Sequence, residues 1–492
     1  MRGGCSRFPF TPGRFQIIAA VGTVFVLAGF LTIGFAPPAQ ALPSYARQTG
    51  QPCGACHTDF AGLTPFGRRF KIGGYTLGGG PYRTTLFPSD DSADSQKKAW
   101  VPPISMMSII GFTNTQAPLP APSAPYGANN NVVVSPVSFF WGGAITDHIG
   151  AFAQMTYNAP APGGFGSDPF AGHTWTWDNT DIRYADSAII GSVPVTYGIT
   201  ANNNPTVQDP WNTTPAWAFP YAVSTLGNGF GPTTMLDGAL AARVGSVGAY
   251  AYINDLVYLE ASVYRALDFN TLNSLGVDPF GGIGQFGAAP YWRAAIEPHW
   301  GNHWLEIGTF GMIADIHPWS SPPTLPGAGV PVTFTTATSP QTVNFTDIGF
   351  DTQYQYQGDN FWITLRGSYI YENQYDPNLL LAANANNVLN EARAYASLAY
   401  GNSNRVVLTG QYFNSWGTPD ALLYSGNVNV SPNSNGWIAE IAYIPFINSQ
   451  APGWPWFNAR VGLQYTWYTE FNGTSVGATA NNTLFLYLWL AM

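Results

Sequence analysis

The 492-residue chain sets 18 Lys+Arg against 27 Asp+Glu, for a formal charge of −9; only 9% of it is charged and 15% is aromatic. Soluble domains usually carry about 25% charged residues, and an acidic chain is a poor ligand for nucleic acid. With three cysteines in all, a disulfide scaffold is excluded.

Residues 1–41 read as an export signal: Arg2, Arg7 and Arg14 precede an apolar run from Ile17 to Phe35, and Ala39-Gln40-Ala41 is a small-x-small cleavage site. An uncleaved membrane anchor is the alternative; Pro37 and Pro38 ahead of the small residues favour cleavage near Leu42. Cleavage removes Cys5 and three basic residues, leaving 15 basic against 27 acidic, or −12.

Residues 42–82 hold Cys53-Gly54-Ala55-Cys56-His57. Cys-x-x-Cys-His is the attachment signature of a c-type haem: Cys53 and Cys56 would form the two thioethers, and His57 would be the iron's axial ligand. A thioredoxin-like pair would need a βαβ frame, and a structural zinc would need further Cys or His nearby. Neither is visible; the next histidine is His148. Attachment outside the cytoplasm fits the export signal. Phe60, Leu63, Phe66 and Phe70, spaced three or four apart, predict a short amphipathic helix interrupted near Pro65 and ending at Gly73 and Gly74. Chains of about 40 residues seldom make a stable core, so this segment must pack against the rest of the protein. Arg68, Arg69 and Lys71 could pair with haem propionates or form a solvated basic patch. Residues 83–102 read as a linker, with a polar turn at Ser89-Asp90-Asp91-Ser92.

From residue 103 to 492 the chain alternates with period two. Val461, Leu463, Tyr465 and Trp467 oppose Arg460, Gly462, Gln464 and Thr466; Ile348, Phe350, Thr352 and Tyr354 oppose Asp347, Asp351, Gln353 and Gln355. Phe361 to Tyr371, Val257 to Val263 and the final apolar strand repeat the pattern. No apolar run after residue 41 reaches the ~18 residues of a membrane helix. Low charge, many aromatics and this alternation predict an all-β fold, a transmembrane antiparallel barrel of about sixteen strands with the helical haem segment as a small N-terminal plug. A soluble sandwich or propeller should carry more Lys and Glu. Strands are expected to start near residues 104, 132, 148, 181, 194, 238, 256, 290, 303, 341, 360, 389, 404, 435, 459 and 482. Short turns such as Asn254-Asp255, Gly301-Asn302 and Gly401-Asn402 alternate with long loops, for example 203–236, 266–289, 315–340 and 416–433. This is the outer-membrane arrangement, and an even count brings the haem segment in from the periplasmic side.

A sixth ligand to the iron is not supplied by the haem segment, because no His or Met lies between His57 and Met106. The candidates in the barrel are His148, Met106, Met107, His299 and Met312, and for each the ordinary role of a wall residue is the favoured alternative. His148 shares a strand face with Gln154 and Thr156, His299 with Arg293 and Glu297, and Met312 with Glu306; Met106 and Met107 face opposite ways. The loop acids Asp168, Asp178, Asp209, Asp268, Asp278 and Asp315 could attract cations or simply be solvated.

Pro43-Ser44-Tyr45-Ala46-Arg47-Gln48-Thr49-Gly50, the Cys53–His57 motif, Leu63-Thr64-Pro65-Phe66-Gly67-Arg68-Arg69-Phe70-Lys71, Gly74-Tyr75-Thr76 and the loop Asn202-Asn203-Asn204-Pro205-Thr206-Val207-Gln208-Asp209-Pro210-Trp211 together resemble one family. It is the fused monohaem cytochrome–porin of the outer membrane, best known from ferrous-iron-oxidising bacteria. The resemblance implies one haem c held at the pore on Cys53, Cys56 and His57, an extracellular donor such as Fe(II), and a periplasmic cytochrome c or cupredoxin as acceptor. The expected activity is one-electron transfer of the ferrous iron–cytochrome c reductase type, by a monomer in outer-membrane lipid. A porin whose haem plug is structural or sensory, and a conduit for a non-iron donor or acceptor, are the alternatives.

Overall fold

The computed structural model describes residues 42–87, 98–119, 126–157, 175–278, 283–319, 340–448 and 453–492. The export-signal reading, the polar turn at residues 89–92 and Asp168 lie outside the described residues.

Period-two alternation becomes a closed antiparallel wall. Its strands are β1 Ile104–Thr115, β2 Asn131–Ala144, β3 Ile149–Tyr157, β4 Trp175–Ile190, β5 Val193–Asn202, β6 Val244–Ile253, β7 Val257–Ala266 and β8 Ala289–Ile296. They continue as the two-residue β9 His299–Trp300, then β10 His303–Ile316, β11 Val343–Gln357, β12 Phe361–Tyr375, β13 Asn386–Tyr400, β14 Arg405–Gly417, β15 Ser434–Ile444, β16 Asn458–Glu470 and β17 Thr483–Ala491. Except for β8 and β9, which both pair with β10, each pairs with its neighbours in chain order, and β1 pairs with β17 to close the ring. Because β8 and β9 both pair with β10, they share one place in the wall, and among the described residues 17 strands fill sixteen positions. Closure leaves no free edge, as a spanning sheet requires.

Two expected starts are displaced: β4 begins at Trp175 and β6 at Val244, six residues from the expected 181 and 238. At the second, Met235–Ala239 forms a helical turn instead of strand. Its backbone N–H groups are already held by lumen carboxylates: Thr234 by Glu391, Met235 by Glu372 and Leu236 by Asp347.

The outward face carries exposed apolar side chains around the ring, among them Val247, Leu259, Ile307, Phe350, Leu408 and Leu463. Exposed aromatics mark both rims, with Trp300, Tyr400 and Tyr443 at the short-turn end and Trp175, Tyr375 and Trp437 at the other. An apolar band between two aromatic girdles is the signature of a barrel that spans an outer membrane. Inward positions are polar and buried: Arg293, Asp351, Gln353, Glu372 and Arg460 all face the lumen. No helix among the described residues is long and apolar enough to cross a membrane.

The lumen is occupied from both ends. From the short-turn end comes the N-terminal segment, with helices α1 Pro43–Thr49, α2 Cys53–Cys56 and α3 Pro65–Ile72. The expected helix is thus shorter than its apolar spacing suggested: it starts at Pro65, capped by the Thr64 hydroxyl accepting from the Gly67 N–H at 3.2 Å, and ends at Gly73. Phe60 and Leu63 lie in the loop before it. From the other end comes the 203–243 connection, which buries Trp211 and Leu236.

Candidate functional site

The N-terminal segment is fastened to the wall on every side. Tyr45 donates to the Ala151 carbonyl on β3 (2.9 Å), and Arg47 to that of Ile104 on β1 (2.5 Å). Tyr250 on β6 donates to the Ile72 carbonyl at 2.6 Å. Arg68, which is 1% exposed, pairs with Glu297 and donates to Gln355 on β11 at 2.6 Å. Asp59 receives Arg460 of β16 at 2.8 Å. Contacts spaced around the ring place the segment across the lumen as a plug.

Local geometry fixes the Cys53–His57 turn. The Gly54 N–H donates to the Ile447 carbonyl (2.8 Å) and the His57 N–H to that of Cys53 (2.9 Å). Arg405 of β14 donates to the carbonyls of His57 (2.7 Å) and Thr58 (3.0 Å). Thr64 donates through its N–H to the Cys56 carbonyl (2.9 Å) and through its hydroxyl to that of Ala55 (2.5 Å), so α3 is bonded to the turn. Gly67 packs on the same carbonyl so closely that a Cβ would collide with it.

Cys53, Cys56 and His57 open onto one cavity of about 360 Å³ between the plug, the wall and the inner loop. Its walls are largely apolar: Phe60, Phe70, Phe140, Phe152, Trp217 and Trp489 all contribute. Neither cysteine is in a disulfide, and burial pushes Cys56 up to about 12. The His57 imidazole is buried, which pulls its pKa down to about 4, and its Nδ1 has no hydrogen-bond partner. Two cysteine side chains and an imidazole facing one largely apolar cavity are a set that could hold a porphyrin covalently.

The basic residues after the motif are bonded to protein partners. Arg68 is bound to Glu297, and Arg69 is an exposed partner of Asp255 at 3.1 Å. Lys71 lines the cavity, but its amine donates to the Val207 and Asp209 carbonyls (2.7 Å each) and to Asn212 (2.9 Å). Burial pulls Lys71 down to about 7. Apart from the Leu63 carbonyl, which also accepts from Arg68, these partners lie at least 136 residues away in the chain, where no local pattern points to them.

Of the sixth-ligand candidates, only Met107 lines the cavity. His148 precedes β3 instead of opening it, and its exposed ring lies by Asp186 outside the lumen. His299 is exposed in β9, not turned inward with Arg293 and Glu297. Met312 does share the lumen face with Glu306, yet it is sealed against Met235 and Leu236 of the inner loop. Met106 and Met107 face opposite ways as expected, with Met107 inward against Phe140 and Phe152.

The loop acids have structural partners. Burial pushes Asp209 up, but Arg293 and Lys71 beside it outweigh burial and hold it below the usual carboxylate range. Arg293 reaches Asp209 at 3.1 Å, Asp351 at 2.6 Å and Glu306 at 3.1 Å. Asp178 accepts from Thr156, Asp315 from Asn344, and Asp268 caps helix α4 Phe269–Ser274; Asp278 accepts from Arg243 through its carbonyl. The inner loop was not recognisable as lumenal, because its Asn, Pro and Thr resemble those of any outer loop. Its Ala218 and Pro220 line both the motif cavity and a second, more polar cavity of about 220 Å³ nearer the long-loop end, which also meets Asp237, Glu391 and Arg393.

No family model matches the chain, and no curated protein matches it. Solved structures similar to it include OprB of Pseudomonas putida (12% identity, TM-score 0.45, covering 79% of this chain and 93% of that one). Others are OmpT of Vibrio cholerae (9%, 0.41, 79% and 96%) and an anion-selective porin from Comamonas acidovorans (9%, 0.42, 79% and 98%).

Proposed function

We propose that this protein is an outer-membrane cytochrome–porin that moves single electrons from an extracellular donor, Fe(II) in the first instance, to a soluble periplasmic carrier such as a cytochrome c or a cupredoxin. The observation that carries the reading is the cavity: both motif cysteines and His57 open into one largely apolar space between the lumen-held segment, the wall and the inner loop. Cys53 and Cys56 would hold a haem c covalently and His57 would ligate its iron; the orphaned His57 Nδ1 and two cysteines outside any disulfide fit that group. Bound there, the haem would supply a one-electron redox centre.

The chain's own residues do the rest. Phe60, Phe70, Trp217 and Trp489 give the site apolar walls. Arg405 and the Asp59–Arg460 pair hold the motif turn against the wall. The plug enters from the short-turn rim, the periplasmic one in outer-membrane barrels, so a carrier docking there would approach the site from beneath. A small donor would reach it from the long-loop side, through the polar cavity behind Ala218 and Pro220. An insoluble ferric product would then stay outside the cell.

The test uses full-length protein, exported by cells competent for c-type haem attachment, solubilised and oxidised. Anaerobic Fe(II) should bring up the reduced α-band. A band that dithionite raises but neither Fe(II), citrate-bound Fe(II) nor a quinol does would refute the reading.

The second reading is a solute channel with a structural or sensory plug, favoured by the sixteen-position wall and polar lumen. Ion-permeable channels in planar bilayers, without reduction of the protein by any donor, would support it.

A further inference from the structure

We propose that Met107 supplies the second axial ligand to the iron, completing a His57–Met107 pair; this rests on the haem reading above.

Sidedness on β1 comes first. Ser105, Ile109, Thr113 and Thr115 are buried toward the lumen while Ile104 and Ile110 are exposed, so the two-residue period sends Met107 inward and Met106 out. Depth comes second. Met107 sits opposite Ala491 of β17 and Ser138 of β2, near the short-turn rim where the plug enters. It lines the same cavity as His57.

Competition decides the matter. Most other polar side chains of the described lining are engaged with protein, the exposed Gln51 excepted. Lys71 donates to three acceptors. The Tyr45 hydroxyl is taken by Ala151, that of Tyr75 by Asp181, and that of Tyr221 accepts from Arg366. Gln154 donates to Ser138 and Thr156, and Asn212 bridges Lys71 and Ala61. Among the described lining residues outside the Cys53–His57 motif, the Met107 thioether is the one soft donor, and it needs no hydrogen bond broken to turn toward the iron. Met sulfur raises the reduction potential of a His-ligated haem, which suits a weak reductant such as ferrous iron.

The experiment compares purified holoprotein with Met107→Leu, Met107→His and Met106→Leu, each checked for barrel folding by its heat-modifiable gel mobility. Wild type and Met106→Leu should show the sulfur-to-ferric-iron charge-transfer band in the far red and bind no carbon monoxide when reduced. Met107→Leu should lose the band, bind carbon monoxide and drop in potential. Met107→His should restore six-coordination at a lower potential than wild type. A wild type that lacks the band, or a folded Met107→Leu protein with band, potential and carbon monoxide behaviour unchanged, overturns the ligand assignment while leaving the haem reading intact. Wild-type protein without covalent haem overturns that reading instead.

Discussion

Arg68→Leu should release the plug without unfolding the barrel. Arg68 is 1% exposed; its guanidinium pairs with Glu297 and donates to Gln355 (2.6 Å) and to the Leu63 carbonyl (3.0 Å). Removing it leaves Glu297 buried with only the Tyr252 hydroxyl at 3.1 Å. Breaking a buried pair from one side costs roughly 3–5 kcal/mol, most of it the uncompensated charge. At about 1.4 kcal/mol per tenfold, the undocked population should rise by roughly two to three-and-a-half powers of ten. The cost belongs to the stranded carboxylate, so Arg68→Leu with Glu297→Leu should return to within about 2 kcal/mol of wild type; the orphaned Gln355 oxygen accounts for the remainder. Hydrogen exchange of the amides from Leu63 to Gly73 reads plug docking, and heat-modifiable mobility reads the barrel. Single and double variants equally deprotected, or neither different from wild type, would refute the reasoning.

Three further outcomes follow. Asp420, in the loop after β14, accepts from the backbone N–H groups of Ala383, Asn384, Leu422 and Leu423. Burial pushes its pKa up, but these donors outweigh burial and bring it to about 2. A depressed carboxylate stabilises above its unfolded pKa of about 3.9, and that stability is lost as pH falls through about 2. Amide protection at those four residues should fall over that window by about 1–2 kcal/mol after solvent screening, and Asp420→Asn should abolish the pH dependence; an unchanged profile in that variant would contradict this. Gly67→Ala drives a Cβ into the Cys56 carbonyl, so the plug should lose about 1–3 kcal/mol and haem-stained yield should drop, whereas normal yield would mean the packing is slack. Trp211, fully buried between Tyr258 and Arg293, anchors the inner loop. Trp211→Ala should cost about 3–5 kcal/mol and raise bilayer conductance; a silent variant would show that the loop is held elsewhere.

The wall was legible because lipid and lumen impose opposite polarity on alternate residues. Arg460, Gln464, Asp347 and Gln355 turn inward as their spacing requires, and turns such as Asn254-Asp255 fall between the strands they were expected to join. The same two-residue parity separated Met106 from Met107. It could not place residues along the barrel axis, so Met312 looked equivalent to Met107 although the inner loop seals it off. It also failed by one residue at His148, where β3 starting at Ile149 leaves the ring in a turn. The plug's ion pairs were invisible in the sequence, since Arg68 and Glu297 lie 229 residues apart and a lumen-bound cation reads like a solvated one. The motif turn itself was plain from five residues; the cavity it faces depends on loop residues such as Trp217 and wall residues such as Trp489.

The most direct test of the account is electron passage across a sealed membrane. Full-length holoprotein in lipid vesicles loaded with ferric cytochrome c, short-turn rim inward, should reduce the trapped carrier when Fe(II) is added outside, while the vesicles still retain a trapped small sugar. Sugar leakage without reduction, or sealed vesicles whose carrier stays ferric, would contradict it.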